Sequence, residues 1–180
     1  MIVNGADVIG VYNKGKPIPE LSDEKINTFN SYDELLNACD AVYIITDPKE
    51  HYIDVKTALQ YGKHVLCESP IALSVTEYDD LSKLANDNNL ILMSAIKTAY
   101  STAYNRLLVI VKSGRIGKVV SVDATCTSLI GDKLEDPKQI SGWNSICSWG
   151  PTALLPVFQT LGTKYNKIAI DSMYLNQQKQ

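Results

Sequence analysis

Metal ligands are scarce in this chain. Its 180 residues include only two histidines, His51 and His64, and four cysteines, Cys39, Cys67, Cys126 and Cys147. No two cysteines stand in the C-x-x-C spacing that closes a zinc or redox site, so no metal is expected. The cysteines read as reduced structural thiols that pack as small hydrophobes. Long apolar runs are missing too: no stretch reaches the roughly 18 residues needed to span a bilayer. The N-terminal Met1-Ile2-Val3-Asn4-Gly5-Ala6-Asp7 has neither the cationic start nor the apolar core of a secretion signal. The expectation is a cytoplasmic protein with no membrane partner. Excess positive charge is also lacking. Seventeen Lys and Arg against 20 Asp and Glu leave a net charge of −3, which argues against a broad nucleic-acid-binding face.

What remains is enough for a core. Hydrophobic residues make up 45% of the chain and charged ones 21%, too apolar and too mixed for a disordered segment. Short β-branched runs alternate with helical patterns. Val8 to Tyr12 reads as a buried strand, and a polar loop follows to about Asn30. Ser31-Tyr32-Asp33-Glu34 is a capping box that opens a short helix ending near Cys39. Ala41 to Ile45 is the next strand, and a helix from about Glu50 to Tyr61 ends at Gly62, where a left-handed cap is wanted. His64 to Cys67 is a strand broken by Ser69-Pro70. Ser74-Val75-Thr76-Glu77 is a second capping box, opening a helix to about Asn86, and Leu90 to Met93 is a fourth strand. Tyr104, Leu107, Leu108 and Val111 have helical spacing. Strands separated by helices of this length imply parallel crossovers, with helices on both faces of the sheet.

The pattern changes near Gly117. Lys118 to Cys126 alternates partially and reads as a longer, half-exposed antiparallel strand. A polar loop from about Gly131 to Gly142 precedes an apolar helix around Leu154 to Leu161 and a strand from Lys167 to Tyr174. The expected division is therefore 1–117 and 118–180. The second unit is too small to stand alone, so it packs on the first or on another chain.

Gly62-Lys63-His64-Val65-Leu66-Cys67-Glu68-Ser69-Pro70 resembles the G-K-H-V-L-C-E-K-P motif of the glucose–fructose oxidoreductase / inositol dehydrogenase / rhizopine catabolism (Gfo/Idh/MocA) family. Ser31 to Leu36 resembles its S-Y-E-E-L-L helix. Thr46-Asp47-Pro48-Lys49-Glu50-His51 resembles its T-P-N-x-x-H loop, and Ser113 to Val119 its S-G-R-I-G-E-V hinge. The resemblance implies an α/β fold: a Rossmann-like parallel sheet, here incomplete, followed by the start of an α/β second domain. It also implies NAD- or NADP-dependent hydride transfer at a sugar or cyclitol hydroxyl, with a sugar-like small molecule as substrate.

Against the family the chain begins at the second strand. The first βα unit, with the G-x-G-x-x-G turn that holds the pyrophosphate, is expected to be absent, together with most of the second-domain sheet. Either the chain is a fragment or a partner supplies the rest. The resemblance places cofactor contacts at Thr46, Pro48, His51, Glu68 and Pro70. Asn13 stands where an acidic residue usually bonds the adenosine ribose, and nearby Lys14 and Lys16 would favour NADP over NAD. A polar turn explains Asn13 as well, and helix-start capping explains His51.

Ser69 occupies the family's lysine position. A looser alignment puts Ser148 and Thr152 at its aspartate and histidine. A serine without a base cannot take a proton near neutral pH, so ordinary dehydrogenase chemistry is expected to be impaired. Lys97, just beyond the fourth strand, is the candidate compensating cation, unless it is simply a solvated loop lysine. Catalytic candidates are thus Lys97 and Ser69. Two function classes follow: an NAD(P)-dependent oxidoreductase, impaired here, or a non-catalytic relative serving as a binding or assembly module that binds no cofactor. Uncovered strand edges and apolar faces predict a homo-oligomer.

Overall fold

The computed structural model describes residues 2–3, 5–14, 16, 26–127 and 145–171. Its N-terminal part holds two short pairings. Ile2–Val3 (β1) runs antiparallel to Ala6–Asp7 (β2), and Gly10–Val11 (β3) runs parallel to Asn27–Thr28 (β4). The strand expected from Val8 to Tyr12 is thus two residues long, half-buried, and partnered by β4 rather than by the main sheet. Gly10 is required there. A Cβ at that position would lie 2.5 Å from the Phe29 ring and 2.6 Å from the Asn27 carbonyl oxygen.

Tyr32–Ala38 (α1) starts as the capping box predicts. The Glu34 N–H donates to Ser31 Oγ at 3.1 Å, and the Glu34 carboxylate accepts from the Asn30 N–H at 3.1 Å. Ala41–Ile44 (β5), Pro48–Gln60 (α2), His64–Cys67 (β6), Val75–Asp87 (α3) and Leu92–Ser94 (β7) then form the main body. The three strands make one parallel sheet in the order β5-β6-β7. The fourth expected strand is shifted: Leu90 and Ile91 lie before the ladder, and Ser94 ends it.

Alternation decides which face carries the core. Val42 and Ile44 of β5 and Val65 and Cys67 of β6 are buried. They meet His51, Val55, Ala58 and Leu59, spaced to share one face of α2, and Leu81 and Ala85 of α3. Leu36 of α1 and Ile71 join the same cluster. Each fully buried Leu or Val contributes about 1.5–3 kcal/mol, so this cluster is the main source of stability. On the other face Tyr43 and Met93 remain 52% and 38% exposed. Gly62, at φ +72°, ends α2 in the left-handed conformation expected of it.

Lys97–Tyr100 (α4), Thr102–Lys112 (α5) and Ser145–Leu161 (α6) complete the described elements. Tyr104 of α5 donates to Gln159 of α6 at 2.7 Å. α6 begins well before the predicted Leu154 and carries Pro151 and Pro156 inside it. The strand expected over Lys118–Cys126 has no ladder partner among the described residues, and neither has 167–171. The predicted 131–142 loop lies outside the described residues, as does the end of the last predicted strand. No helix among the described residues is long and apolar enough to cross a membrane.

Candidate functional site

Because β5, β6 and β7 all run the same way, the loops after them open at one edge. In an open parallel sheet this carboxyl edge is where ligands sit. Three segments meet there: Ile45 to Asp47, Glu68 to Ile71, and Ala95 to Lys97. The ladder continues into them. The Glu68 N–H donates to the Ile44 carbonyl at 2.9 Å and the Ala95 N–H to the Cys67 carbonyl at 2.8 Å.

His51 ties two of these loops from behind. It has no exposed surface. Its Nδ1 lies 2.8 Å from the Pro70 carbonyl oxygen and its Nε2 2.9 Å from the Thr46 carbonyl oxygen. The resemblance implies cofactor contact by His51; the structure buries the ring with each nitrogen facing a backbone carbonyl, and a ring with one N–H donates to one of the two. Thr46 is fixed a second time, its hydroxyl donating to Asp54 Oδ2 at 2.7 Å. Asp54 in turn offers its backbone carbonyl to the Tyr32 hydroxyl at 3.1 Å, and burial pushes that phenol above the ordinary tyrosine range.

Glu68 is half-buried, and its carboxylate accepts from the Tyr43 hydroxyl. That hydrogen bond, with burial second, pushes the Tyr43 phenol up to about 12. Pro48 is the first residue of α2, capped by Asp47, whose carboxylate accepts from the Lys49 N–H at 2.9 Å. Asn13 sits in a turn. Its side-chain amide donates to the Lys16 carbonyl at 3.2 Å, and its own carbonyl accepts from the Lys16 N–H at 2.7 Å. Lys14, in the same turn, pairs with Glu50 of α2 at 2.7 Å, and this contact raises its pKa.

Ser69 and Pro70 line an open cleft of about 500 Å³ between the start of α3 and the end of β7. Lys97 is exposed at the first position of α4 and is not among the residues lining that cleft. The fold therefore brings Thr46, Pro48, Glu68, Ser69 and Pro70 to one edge and puts His51 beneath them, with Asn13 in the turn whose Lys14 reaches Glu50 and Lys97 at the start of α4. Thr152 lies half-buried in α6. Among the described residues no group of three His, Cys, Asp or Glu is placed to hold a metal.

Tyr43 and Asp54 escaped the sequence reading. Tyr43 had a signal, since it alternates with Val42 and Ile44 and so had to face away from the core. Asp54 had none: its bond to Thr46 depends on how α2 turns back on the loop before it.

The fit to a dinucleotide is uneven. The edge offers Thr46, Pro48, Glu68 and Pro70 side by side. For the pyrophosphate the donors are wrong. The sequence contains no G-x-G-x-x-G, and the start of α2 is capped by the Asp47 carboxylate, with Pro48 supplying no N–H and the nearby Glu50 carboxylate paired with Lys14.

A family model described as an oxidoreductase family with an NAD-binding Rossmann fold matches residues 3–96. The D-xylose 1-dehydrogenase [NADP(+)] of Haloarcula marismortui is 29% identical over 103 residues, 57% of this chain and 29% of that protein. The scyllo-inositol 2-dehydrogenase (NADP(+)) IolU of Bacillus subtilis is 35% identical over 68 residues, 38% of this chain and 21% of that protein. The solved structure of the UDP-N-acetylglucosamine 3-dehydrogenase GnnA from Acidithiobacillus ferrooxidans is similar with a TM-score of 0.51 and 30% identity, over 54% of this chain and 33% of that one. The chain thus spans less than a third of the length of these curated relatives.

Proposed function

The chain belongs to the Gfo/Idh/MocA oxidoreductase family, with its NAD-binding Rossmann fold, and on that premise we propose that it forms the nicotinamide-side wall of an NAD(P)-dependent site for a sugar or cyclitol hydroxyl, with its own chemistry impaired. The observation that carries this reading is the meeting of Thr46, Pro48, Glu68, Ser69 and Pro70 at the carboxyl edge of one parallel sheet. Relatives whose names specify D-xylose and scyllo-inositol support a polyhydroxylated substrate. Both names also specify NADP(+). Lys14, one of the two lysines that would favour that cofactor, is held by Glu50.

In this reading Thr46, Pro48, Glu68 and Pro70 touch the cofactor, His51 positions Thr46 and Pro70 from beneath, and Asn13 sits toward the ribose. A nicotinamide held at this edge supplies a hydride acceptor. The alcohol proton needs a separate acceptor, and Ser69 cannot be one near neutral pH. Glu68 is committed to Tyr43, and Lys97 stands outside the cleft. The second reading, a non-catalytic module that binds or assembles, draws on this same lack of a base. The domain division at about residue 117 and homo-oligomeric association belong to the proposal as well.

Loss of a general base costs on the order of 10²–10⁴ in rate. The 180-residue chain alone is expected to form no measurable NADH or NADPH from sugars or cyclitols, and Ser69→Lys is expected not to restore it. Robust turnover by the purified chain, abolished by Glu68→Ala or Lys97→Ala, would overturn the proposal and return the protein to the active dehydrogenases.

A further inference from the structure

One ion pair joins the turn after β3 to the start of α2. The turn is closed by the Lys16 N–H, which donates to the Asn13 carbonyl at 2.7 Å. Lys14 stands within it in the left-handed conformation, at φ +46°. Its Nζ lies 2.7 Å from Glu50 Oε1, in the first turn of α2. Asp54, one turn further along that helix, adds a second negative charge to the lysine's surroundings. The Lys14 and Glu50 side chains keep 41% and 47% of their surface exposed, so a ligand can reach both. Lys16, the other cation of the turn, is exposed as well.

The end of such a strand is where a dinucleotide-binding fold ordinarily puts an acidic side chain on the adenosine ribose, and here the amide of Asn13 stands in its place. From the geometry we infer that the Lys14–Glu50 pair sets cofactor choice: Glu50 returns the missing carboxylate from α2 and selects a ribose with a free 2′-hydroxyl over one with a 2′-phosphate. The inference rests on the reading of Asn13 as facing the ribose and deepens it. A 2′-hydroxyl can donate to the Glu50 carboxylate in a charge-assisted bond. A 2′-phosphate must compete with Glu50 for the Lys14 ammonium, and it meets the like charge of the carboxylate at the same place. The lysines of the turn alone would favour the phosphate. Their partner from α2 reverses that preference.

The test is an NMR titration of the isotope-labelled 180-residue chain with NADH and with NADPH, repeated on Glu50→Gln, Lys14→Gln and the double variant. The parent chain is expected to bind NADPH no more tightly than NADH. Glu50→Gln is expected to raise the ratio of NADPH to NADH affinity by about threefold or more, the size of an exposed ion pair. Adding Lys14→Gln is expected to remove most of that gain. Lys16 is present in every variant, so it cannot produce the difference. The amides of Thr46 and Glu68 report separately on the rest of the rim. If NADH shifts them while Glu50→Gln leaves the ratio unchanged, or while the gain persists in full without Lys14, the inference falls and the cofactor reading stands. A parent chain that prefers NADPH severalfold would overturn it too. Silence of Thr46, Glu68 and the turn toward both nucleotides would overturn the inference together with the reading beneath it.

Discussion

Cys67 ends β6 without exposed surface, and its thiol is pushed up to about 12 from an ordinary 9.0, chiefly by burial and then by the Glu68 carboxylate beside it. Between those values the folded chain keeps a proton that the unfolded chain has lost. Stability therefore falls as pH rises from about 9 toward 12, and Cys67 contributes no such slope below that window. Urea midpoints measured across this range should fall less in Cys67→Ala than in the parent chain, with Tyr43 supplying part of the remaining slope. An identical slope in both would contradict the assignment. His51 makes a second residue-scale prediction. Replacing it by Leu removes the ring N–H from the carbonyl it serves, Thr46 or Pro70, at about 1–3 kcal/mol for a group left unpaired. A urea midpoint unchanged by His51→Leu would show that the ring does not hold the two loops. The sequence marked His51 through its place in T-x-P-x-x-H but not the carbonyls its ring meets, which belong to residues 19 and five positions away.

At the scale of elements, the features that were legible are the local ones. Both capping boxes and the Gly62 cap stand where their residues predict, since each depends on neighbours within four positions. Ser74→Ala should cost about 1 kcal/mol, within a usual range of roughly 0.5–2, and Leu81→Ala about 2–5 kcal/mol because that side chain is fully buried between α3 and its neighbours. Thermal melts that leave Ser74→Ala at parent stability would contradict the cap. Pairing was less legible. β3 shortened because Gly10 is chosen for close approach to Phe29 and Asn27 rather than for strand length. The alternation over 118–126 is real in the sequence, yet a strand exists only when another presents its edge, and no described residue does so. α6 starts nine residues before the expected Leu154 and runs through Pro151, a residue that removes a helical hydrogen bond and ordinarily marks a boundary.

For the molecule as a whole, the apolar surface of the second half bears on association. Val109, Val120 and Ile170 are 68%, 88% and 66% exposed. Exposed apolar surface of this kind is normally covered, and the proposed cover is a second copy related by a two-fold axis. Light scattering at micromolar concentration should give more than the 19.9 kDa of one chain; a monomer would argue against it. The candidate site was legible in its residues and not in its balance. Motif positions located the rim, while the pairing of Glu50 with Lys14 and the hold of Asp54 on Thr46 come only from how the chain folds back. That balance is what the proposal depends on. Each backbone donor lost from the pyrophosphate is worth roughly 1.5–3 kcal/mol. Losing two turns a micromolar site into one of about 100 µM or weaker, since 1.4 kcal/mol is tenfold. Calorimetric titration of the 180-residue chain with NADH and with NADPH reads this directly. A wall without a phosphate cradle gives dissociation constants of about 100 µM or more for both, and a micromolar or tighter constant for either would contradict it.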